Sequence, residues 1–266
     1  MRDITLGQFV AGNSVIHKLD PRTKIAMMIL YIVMTFLVKE IWFMSIPFAY
    51  LVMELVFSGI SLRYILNSLK PIRFLLIFMF LLNLFFTKGE HVWLDLGFWK
   101  LTGEAVLQSC FLSLRIILLV AGASMLTLTT SPIALTDGLE KLLMPLRIFH
   151  FPAHELAMMM TIALRFVPTL MDESEKIRNA QMSRGADFES GNVFKRVKSM
   201  IPILIPLFVS SFRKADELAI AMESRCYHGG DGRTRMHQLK FRKEDLAAIL
   251  ITLAFLASLI LVMVLL

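Results

Sequence analysis

The residues with the clearest chemical potential are two arginines that each end the same short motif. Ala180 to Arg184 and Ala221 to Arg225 both read Ala-x-x-Ser-Arg. A guanidinium group is a planar set of donors that pairs bidentately with a carboxylate, so at a helix end it suits an acidic groove on another protein. The helix dipole also favours a C-terminal arginine without any partner. Because the whole motif is repeated, we favour the interpretation that both arginines bind a partner.

Other chemistry has no visible site in the sequence. The six histidines show no metal-ligand spacing, and His150 and His154 are separated by Pro152. Two cysteines, Cys110 and Cys226, are too few for a disulfide framework or a zinc site. The glycine-rich stretch at 228–234 lacks the lysine of a phosphate-binding loop. We therefore expect no catalytic residue, no metal and no cofactor.

The composition is that of an integral membrane protein. Hydrophobic residues make up 56% of the chain, and residues 246–266 form a closing run without a charge. A helix over residues 25–60 would be about 54 Å long, too long for one crossing, so we predict a hairpin of two spans there. Asp20 and Pro21 suit the start of its first arm, which is short. Further spans are predicted over residues 74–87, 105–130 and 246–266, five in all.

Basic residues in the connections predict the orientation. Arg22 and Lys24 precede the first span, while Arg63, Lys70 and Arg73 join the second span to the third. Half of the chain's 28 lysines and arginines lie in the segment 176–243. By the positive-inside rule these regions are cytoplasmic, and five crossings then place the C-terminus outside.

Two long helices are predicted in the segment between the last two spans. Ser131 and Pro132 suit the start of an amphipathic helix, which residues 151–152 interrupt. The first long helix is expected from 153 to Arg184, with a bend at Pro168, and the second from 203 to Arg225, with a bend at Pro206. Each begins apolar and ends charged. The predicted contact face of the second consists of Phe208, Phe212, Ala215, Leu218 and Met222.

Four stretches together resemble the transmembrane T component (EcfT) of energy-coupling factor transporters, the vitamin and metal-ion importers of the ABC class. The first three are HKLDPRTKI, TSPIALTDGLEKLLMPLRI and ALRFVPTLMDESEKIRNAQMSRGADF, and the fourth is the second arginine motif. The resemblance covers nearly the whole chain. The family's arginine motif is Ala-Arg-Gly. Here Ser183 and Ser224 replace the alanine, Gly185 keeps the first glycine, and Cys226 replaces the second.

The resemblance implies a mechanical coupler in a bacterial cell membrane. Arg184 and Arg225 would anchor two coupling helices to a pair of cytoplasmic ATPase subunits, which hydrolyse the ATP. The membrane portion would hold a separate, interchangeable substrate-binding S component. The implied organisation is an all-α protein with a membrane domain at 1–130, a cytoplasmic coupling region at 131–245 and a transmembrane helix at 246–266.

Two alternatives remain at the level of the sequence. A self-contained permease would bind solute with Arg115, Asn83 or Gln108, although Arg115 could equally pair with a polar neighbour inside its span. A membrane-embedded enzyme would need an acid–base or metal constellation that we do not find. For the coupler, an adaptable Met-rich surface at Met158, Met159 and Met160 is expected to contact the S component.

Overall fold

The protein is described by a computed structural model that covers residues 9–87, 92–95, 100–149, 151–188, 192–227, 229 and 239–265. Within these residues the fold is almost entirely helical, as predicted. The helices in chain order are α1 (Val15–Lys18), α2 (Pro21–Leu37), α3 (Ser45–Ser58), α4 (Leu62–Leu69), α5 (Arg73–Phe86), α6 (Gly103–Thr129), α7 (Pro132–Leu143), α8 (Ala153–Ser183), α9 (Val193–Glu223) and α10 (Lys243–Leu265).

The segment before α6 contains a short β-hairpin. Strands β1 (Val92–Asp95) and β2 (Lys100–Thr102) pair antiparallel, with Val92 opposite Thr102 and Asp95 opposite Lys100. Thr102 then caps α6, because its hydroxyl accepts a hydrogen bond from the Ala105 N–H. The hairpin therefore leads directly into the longest span.

Four helical segments within the described part of the chain are long and apolar enough to cross a membrane: Ile41–Ser58, Leu62–Phe86, Gly103–Thr129 and Lys243–Leu265. They match the second to fifth predicted spans. The first predicted span corresponds to α2, which has 17 residues and a length of about 25 Å, less than the roughly 30 Å of a hydrocarbon core. The structure thus gives four full-length spans and one shorter apolar helix.

The predicted connection between the second and third spans is helical. Gly59, in the left-handed conformation with φ 67°, ends α3, and α4 begins at Leu62. Arg63 lies on α4, Lys70 begins the short 3-10 turn that follows it, and Arg73 is the first residue of α5, which covers the predicted third span. All three side chains are exposed.

Two stacked tyrosines form the centre of the membrane-helix core. Tyr31 of α2 and Tyr50 of α3 have ring centroids 5.5 Å apart. The Tyr31 hydroxyl donates to the Leu118 carbonyl oxygen at 3.0 Å, and the hydroxyls of Tyr50 and Thr252 hydrogen bond at 3.0 Å. Gly122 leaves room for the Tyr31 ring, since a Cβ at Gly122 would lie 2.2 Å from a ring carbon. These contacts join α2, α3, α6 and α10.

The Asp20–Pro21 start of α2 is confirmed. The Asp20 carboxylate accepts from the Arg22 N–H at 2.9 Å and also pairs with the Arg22 guanidinium at 2.9 Å. The Asp20 N–H donates in turn to the buried Asp245 carboxylate at 2.7 Å, and the Arg22 guanidinium lies 4.4 Å from the centre of the Phe241 ring. The start of α2 is thereby fixed to the start of α10.

Lys24 completes this arrangement at the end of α6. Its buried ammonium donates to the carbonyl oxygens of Thr129 at 2.9 Å and His17 at 3.1 Å. Thr129 is the last residue of α6, so the lysine satisfies a carbonyl that the helix itself leaves free. The HKLDPRTKI stretch therefore makes hydrogen bonds that join the ends of four helices, α1, α2, α6 and α10.

Arg115 pairs with a backbone group inside its span. Its guanidinium donates to the carbonyl oxygen of Val38, the residue that follows α2, and lies 4.4 Å from the centre of the Phe111 ring. Asn83 donates to the Met79 carbonyl oxygen at 2.9 Å. Both groups thus have a hydrogen-bond partner within the chain, although the Arg115 Nε–H is buried without one among the described residues, and Gln108 is exposed.

Residues 139–237 and residues 7–138 with 238–266 form two separate compact units. Within the first unit, α8 spans Ala153–Ser183, close to its predicted range. The second long helix, α9, begins at Val193, ten residues earlier than predicted. Its first turns, which contain Lys198, are polar enough to resemble a loop in sequence, and the helix also accommodates Pro202 and Pro206.

The predicted start of α7 is confirmed by a hydrogen bond from the Ala134 N–H to the Ser131 hydroxyl at 3.3 Å.

Candidate functional site

The first arginine motif forms a hydrogen-bonded helix end. The Ala186 N–H donates to the Gln181 carbonyl oxygen at 3.0 Å, and the Gly185 N–H donates to the Met182 carbonyl oxygen at 3.0 Å. This pair of bonds is a Schellman motif, which requires a left-handed residue just after the helix. Gly185 supplies it with φ 87°, as predicted. Arg184 is the capping residue immediately before the glycine.

The second arginine motif ends in the same geometry. The Tyr227 N–H donates to the Met222 carbonyl oxygen at 3.0 Å, and the Cys226 N–H donates to the Glu223 carbonyl oxygen at 2.9 Å. Cys226 takes the left-handed conformation with φ 59° that glycine takes in the first motif. Arg225 therefore occupies the position that corresponds to Arg184.

The two serines also occupy equivalent positions. The Ser183 hydroxyl donates to the Asn179 carbonyl oxygen at 3.0 Å, and the Ser224 hydroxyl donates to the Ile220 carbonyl oxygen at 2.9 Å. Both bonds reach back one turn, a common pattern for serine in helices. Each serine therefore keeps its polar atom on its own helix, close to the space that an alanine would fill.

Both guanidinium groups are available to a partner. Arg184 and Arg225 are exposed, and neither guanidinium group has a hydrogen-bond or ion-pair partner among the residues that the structure describes. Cys226, next to Arg225, is a free and exposed thiol. Two identical donor groups are thus presented at two helix ends of the same backbone shape.

The contact face of α9 differs from its predicted composition. Phe208 and Phe212 are 61% and 69% exposed, so they do not form the contact with α8. The less exposed residues of α9 instead recur at a helical spacing on another of its faces. They are Ile203, Leu207, Ser210, Lys214, Leu218 and Met222. Leu218 and Met222 were predicted correctly, whereas the two phenylalanines belong to the exposed apolar surface of the helix.

A polar cluster joins α8 to α9. The Glu173 carboxylate accepts hydrogen bonds from the Ser210 hydroxyl at 3.1 Å and from the Lys214 ammonium at 2.5 Å. The hydrogen bond from Lys214 is the main reason that the pKa of Glu173 lies below its usual value. Our reading of the sequence missed this cluster. A signal was present, because Glu173 and Lys214 stand at the same distance before their respective arginines.

The methionines predicted to contact an S component lie near the start of α8. Met159 and Met160 are 53% and 46% exposed, and Met158 is partly buried. The first half of α9 also exposes apolar side chains, among them Phe194, Ile205 and Phe208. Within the described residues there is no group of three or more side chains suited to hold a metal ion.

Comparison with known proteins places the chain in a family. The family model for CbiQ, cobalt transport protein, matches residues 12–238. An energy-coupling factor transporter transmembrane protein EcfT from Thermosediminibacter oceani is 53% identical over 252 residues, which cover 95% of each chain. The chain belongs to the EcfT family. EcfT proteins from Ruminiclostridium cellulolyticum and Lactococcus lactis are 50% and 45% identical, over 98% and 92% of this chain and 97% and 92% of their own lengths.

EcfT membership identifies the chain as a transmembrane component of an energy-coupling factor transporter and confirms the resemblance seen in the sequence. Together with the four apolar helices, it makes the chain a multi-pass membrane protein. Among the residues that the structure describes, this EcfT protein exposes the guanidinium groups of both arginine motifs and the side chains of Met159 and Met160.

Proposed function

We propose that the chain is the coupling subunit of an ATP-driven importer and that Arg184 and Arg225 anchor it to two cytoplasmic ATPase subunits. The observation that carries this proposal is the match between two exposed helix ends, each with an unengaged guanidinium at the same backbone position. A single arginine at a helix end could be explained by its favourable interaction with the helix dipole alone. Two matching ends suit a partner that offers the same groove twice, as a pair of related subunits does.

The anchor chemistry follows from the guanidinium group. An arginine inserted into an acidic groove forms two parallel hydrogen bonds to one carboxylate, which fixes its orientation as well as its position. Lysine would provide a charge without this planar geometry. The Schellman ends hold each arginine on a terminated, hydrogen-bonded helix, so a displacement of the groove is passed to α8 or α9 without unwinding the last turn.

The S component would bind the exposed apolar surface near the start of α8. Met159 and Met160 provide unbranched, adaptable side chains that can repack against different partners. Selectivity for the vitamin or metal ion would then reside in the S component. Catalysis would reside in the ATPases, and this chain would transmit motion between them.

The arginine-bearing helices would lie in the cytoplasm. Supporting this orientation, the basic residues Arg63, Lys70 and Arg73 are exposed and precede the apolar part of α5, and residues 176–243 are rich in positive charge. A cytoplasmic N-terminus and an outside C-terminus then require α2 to cross. Local thinning of the bilayer accommodates a helix that is a few Å short at modest cost.

Purification from native membranes tests the proposal. The tagged chain is extracted in mild detergent, and the proteins that accompany it are identified by mass spectrometry. We expect two ATPase subunits and a small membrane protein, and solute binding that requires the small protein. If the chain purified alone and bound solute by itself, the permease interpretation would replace the coupler.

A further inference from the structure

Glu173 is the centre of a polar contact between the two long helices. One carboxylate oxygen accepts from the Ser210 hydroxyl at 3.1 Å and the other from the Lys214 ammonium. The side chains of Glu173 and Lys214 are 32% and 25% exposed, so water reaches both only in part. The contact lies entirely within the compact unit of residues 139–237.

The polar contact interrupts an otherwise largely apolar stripe on both helices. On α8, Leu170 and Ile177 lie one turn before and one turn after Glu173 and are partly buried. On α9, Leu218 follows Lys214 by one turn and is also partly buried. Sliding α9 by one turn would replace one of the two partners of the Glu173 carboxylate by an apolar side chain, Leu207 in one direction and Leu218 in the other. A polar pair within an apolar seam specifies register in this way.

The two charged residues are also placed symmetrically with respect to the arginines. Arg184 follows Glu173 by eleven residues, and Arg225 follows Lys214 by eleven residues. Eleven residues make about three helical turns and about 16 Å of axial length. The contact point is therefore equally far along each helix from its arginine, and each arginine lies close to the same face as the charged residue of its own helix.

We propose that Glu173 and Lys214 form a clasp that sets the register of α8 on α9 and thereby fixes the spacing of the two arginine-bearing helix ends. Both are positioning residues, because they affect the arginines only by fixing how the two helices pack against each other. The two arginines lie at equal distances along their helices from this contact. Its use in transport rests on the proposed coupling function: two grooves at a fixed separation can be occupied together only if the two arginines keep that separation.

Spin labels at the helix ends test the clasp in this chain alone. Ala180 and Ala221 are exposed, hold the same position in the two motifs, and are replaced by cysteine for labelling. Native Cys110 and Cys226 are replaced by serine and glycine, which leaves no other thiol. The distance distribution between the labels is then measured by pulsed electron resonance on the full chain in lipid nanodiscs.

We expect one narrow distance distribution for the chain with its native clasp. Glu173→Lys, which places two ammonium groups together, and Lys214→Glu, which places two carboxylates together, should each broaden it or shift it by about 5 Å, the length of one helical turn. Combining the two substitutions restores an ion pair with exchanged partners and should restore the narrow distribution. The new lysine and Lys176 repel each other only weakly because water screens both charges, so their repulsion should not prevent this.

The matched control exchanges two exposed neighbours, Glu175→Lys and Arg213→Glu, which make the same charge changes on the same helices. This control should keep the native distribution. The proposal is wrong if single substitutions at the clasp leave the distribution unchanged, and equally wrong if they disturb it but the exchanged pair does not restore it. Glu173→Gln keeps a hydrogen-bonding side chain but removes its charge. It should alter the distance distribution less than the charge reversals do, in a chain that still folds.

A second measurement connects the clasp with coupling. In proteoliposomes that contain the chain with its co-purified partners, Glu173→Lys should lower solute uptake per ATP hydrolysed, and the exchanged pair should recover most of it. If the proposed coupling function were wrong, the result would be different. The clasp would still control the distance between the labels, but the chain would bind no ATPase. An unchanged uptake ratio in a chain with altered label distance would show that the spacing has no part in coupling.

Discussion

Gly185 and Cys226 occupy the same place in two matching helix ends, and both are left-handed, with φ 87° and 59°. Glycine adopts this conformation freely, whereas a side chain there crowds the backbone and costs about 1–2 kcal/mol. The helix end that carries Arg225 is therefore strained, whereas the helix end that carries Arg184 is not.

Cys226→Gly should stabilise the end of α9. Relief of the left-handed strain outweighs the added flexibility of glycine in the unfolded chain, so we expect a net gain of about 1 kcal/mol. Hydrogen exchange of the Cys226 and Tyr227 amides should then slow by about fivefold, with the ion pair of Glu173 unaffected. Gly185→Ala should do the reverse at the end of α8, where φ is also strained for any side chain. Faster exchange in Cys226→Gly would contradict the assigned strain.

Gly122→Ala should destabilise the membrane-helix core. An added Cβ would lie 2.2 Å from the Tyr31 ring, and displacing that ring would break its stack on Tyr50 and its hydrogen bond to Leu118. Overpacking of this kind costs about 1–3 kcal/mol. Thermal unfolding in detergent measures the loss.

The control for this prediction is a double-mutant cycle. Tyr31→Leu removes the ring that the new methyl group would strike, so Gly122→Ala should cost less in the Tyr31→Leu background than in the native chain. Equal costs in the two backgrounds would mean that Gly122 matters for a reason other than its closeness to Tyr31.

Accessibility of single cysteines should establish the orientation. Lys240→Cys and Ala11→Cys, both at exposed positions, are expected to react with an impermeant thiol reagent only after the membrane is opened. Thr87→Cys, at the other end of the third span, should react in intact cells and serves as the control. Labelling of Lys240→Cys in intact cells would reverse the proposed topology. Labelling of Ala11→Cys alone would mean that α2 does not cross.

Substitutions in the Met-rich surface should separate assembly from selectivity. Replacing Met158, Met159 and Met160 together by glutamine makes the surface polar and should reduce co-purification of the small membrane partner while ATPase binding persists. Met171→Gln, a partly exposed methionine farther along α8, is the control. Exchange of the S component should change the solute that is taken up. Solute preference that stayed with this chain after the exchange would contradict the coupler.

The sequence predicted the helical ends better than the helical contacts. Gly185 and the Asp20–Pro21 pair are local signals, because backbone conformation and capping depend on a few neighbouring residues. The Glu173–Lys214 contact depends on which faces of two separate helices meet, and periodicity alone favoured Phe208 and Phe212 on an apolar helix that also exposes an apolar surface. The sequence also did not reveal that the connection around Arg63 and Lys70 is helical, since basic residues on an exposed helix face resemble a loop in sequence.

The most direct test of the account is the affinity of the chain for its ATPase subunits when both arginines are reversed in charge. Arg184→Glu and Arg225→Glu should each weaken binding by about thirtyfold to a few thousandfold, the equivalent of about 2–5 kcal/mol, and together should abolish coupled transport while the chain still inserts. Arg213→Glu, an exposed charge reversal on the same helix as Arg225, should bind normally. Wild-type ATPase binding by the double variant would contradict the anchor role of the two arginines.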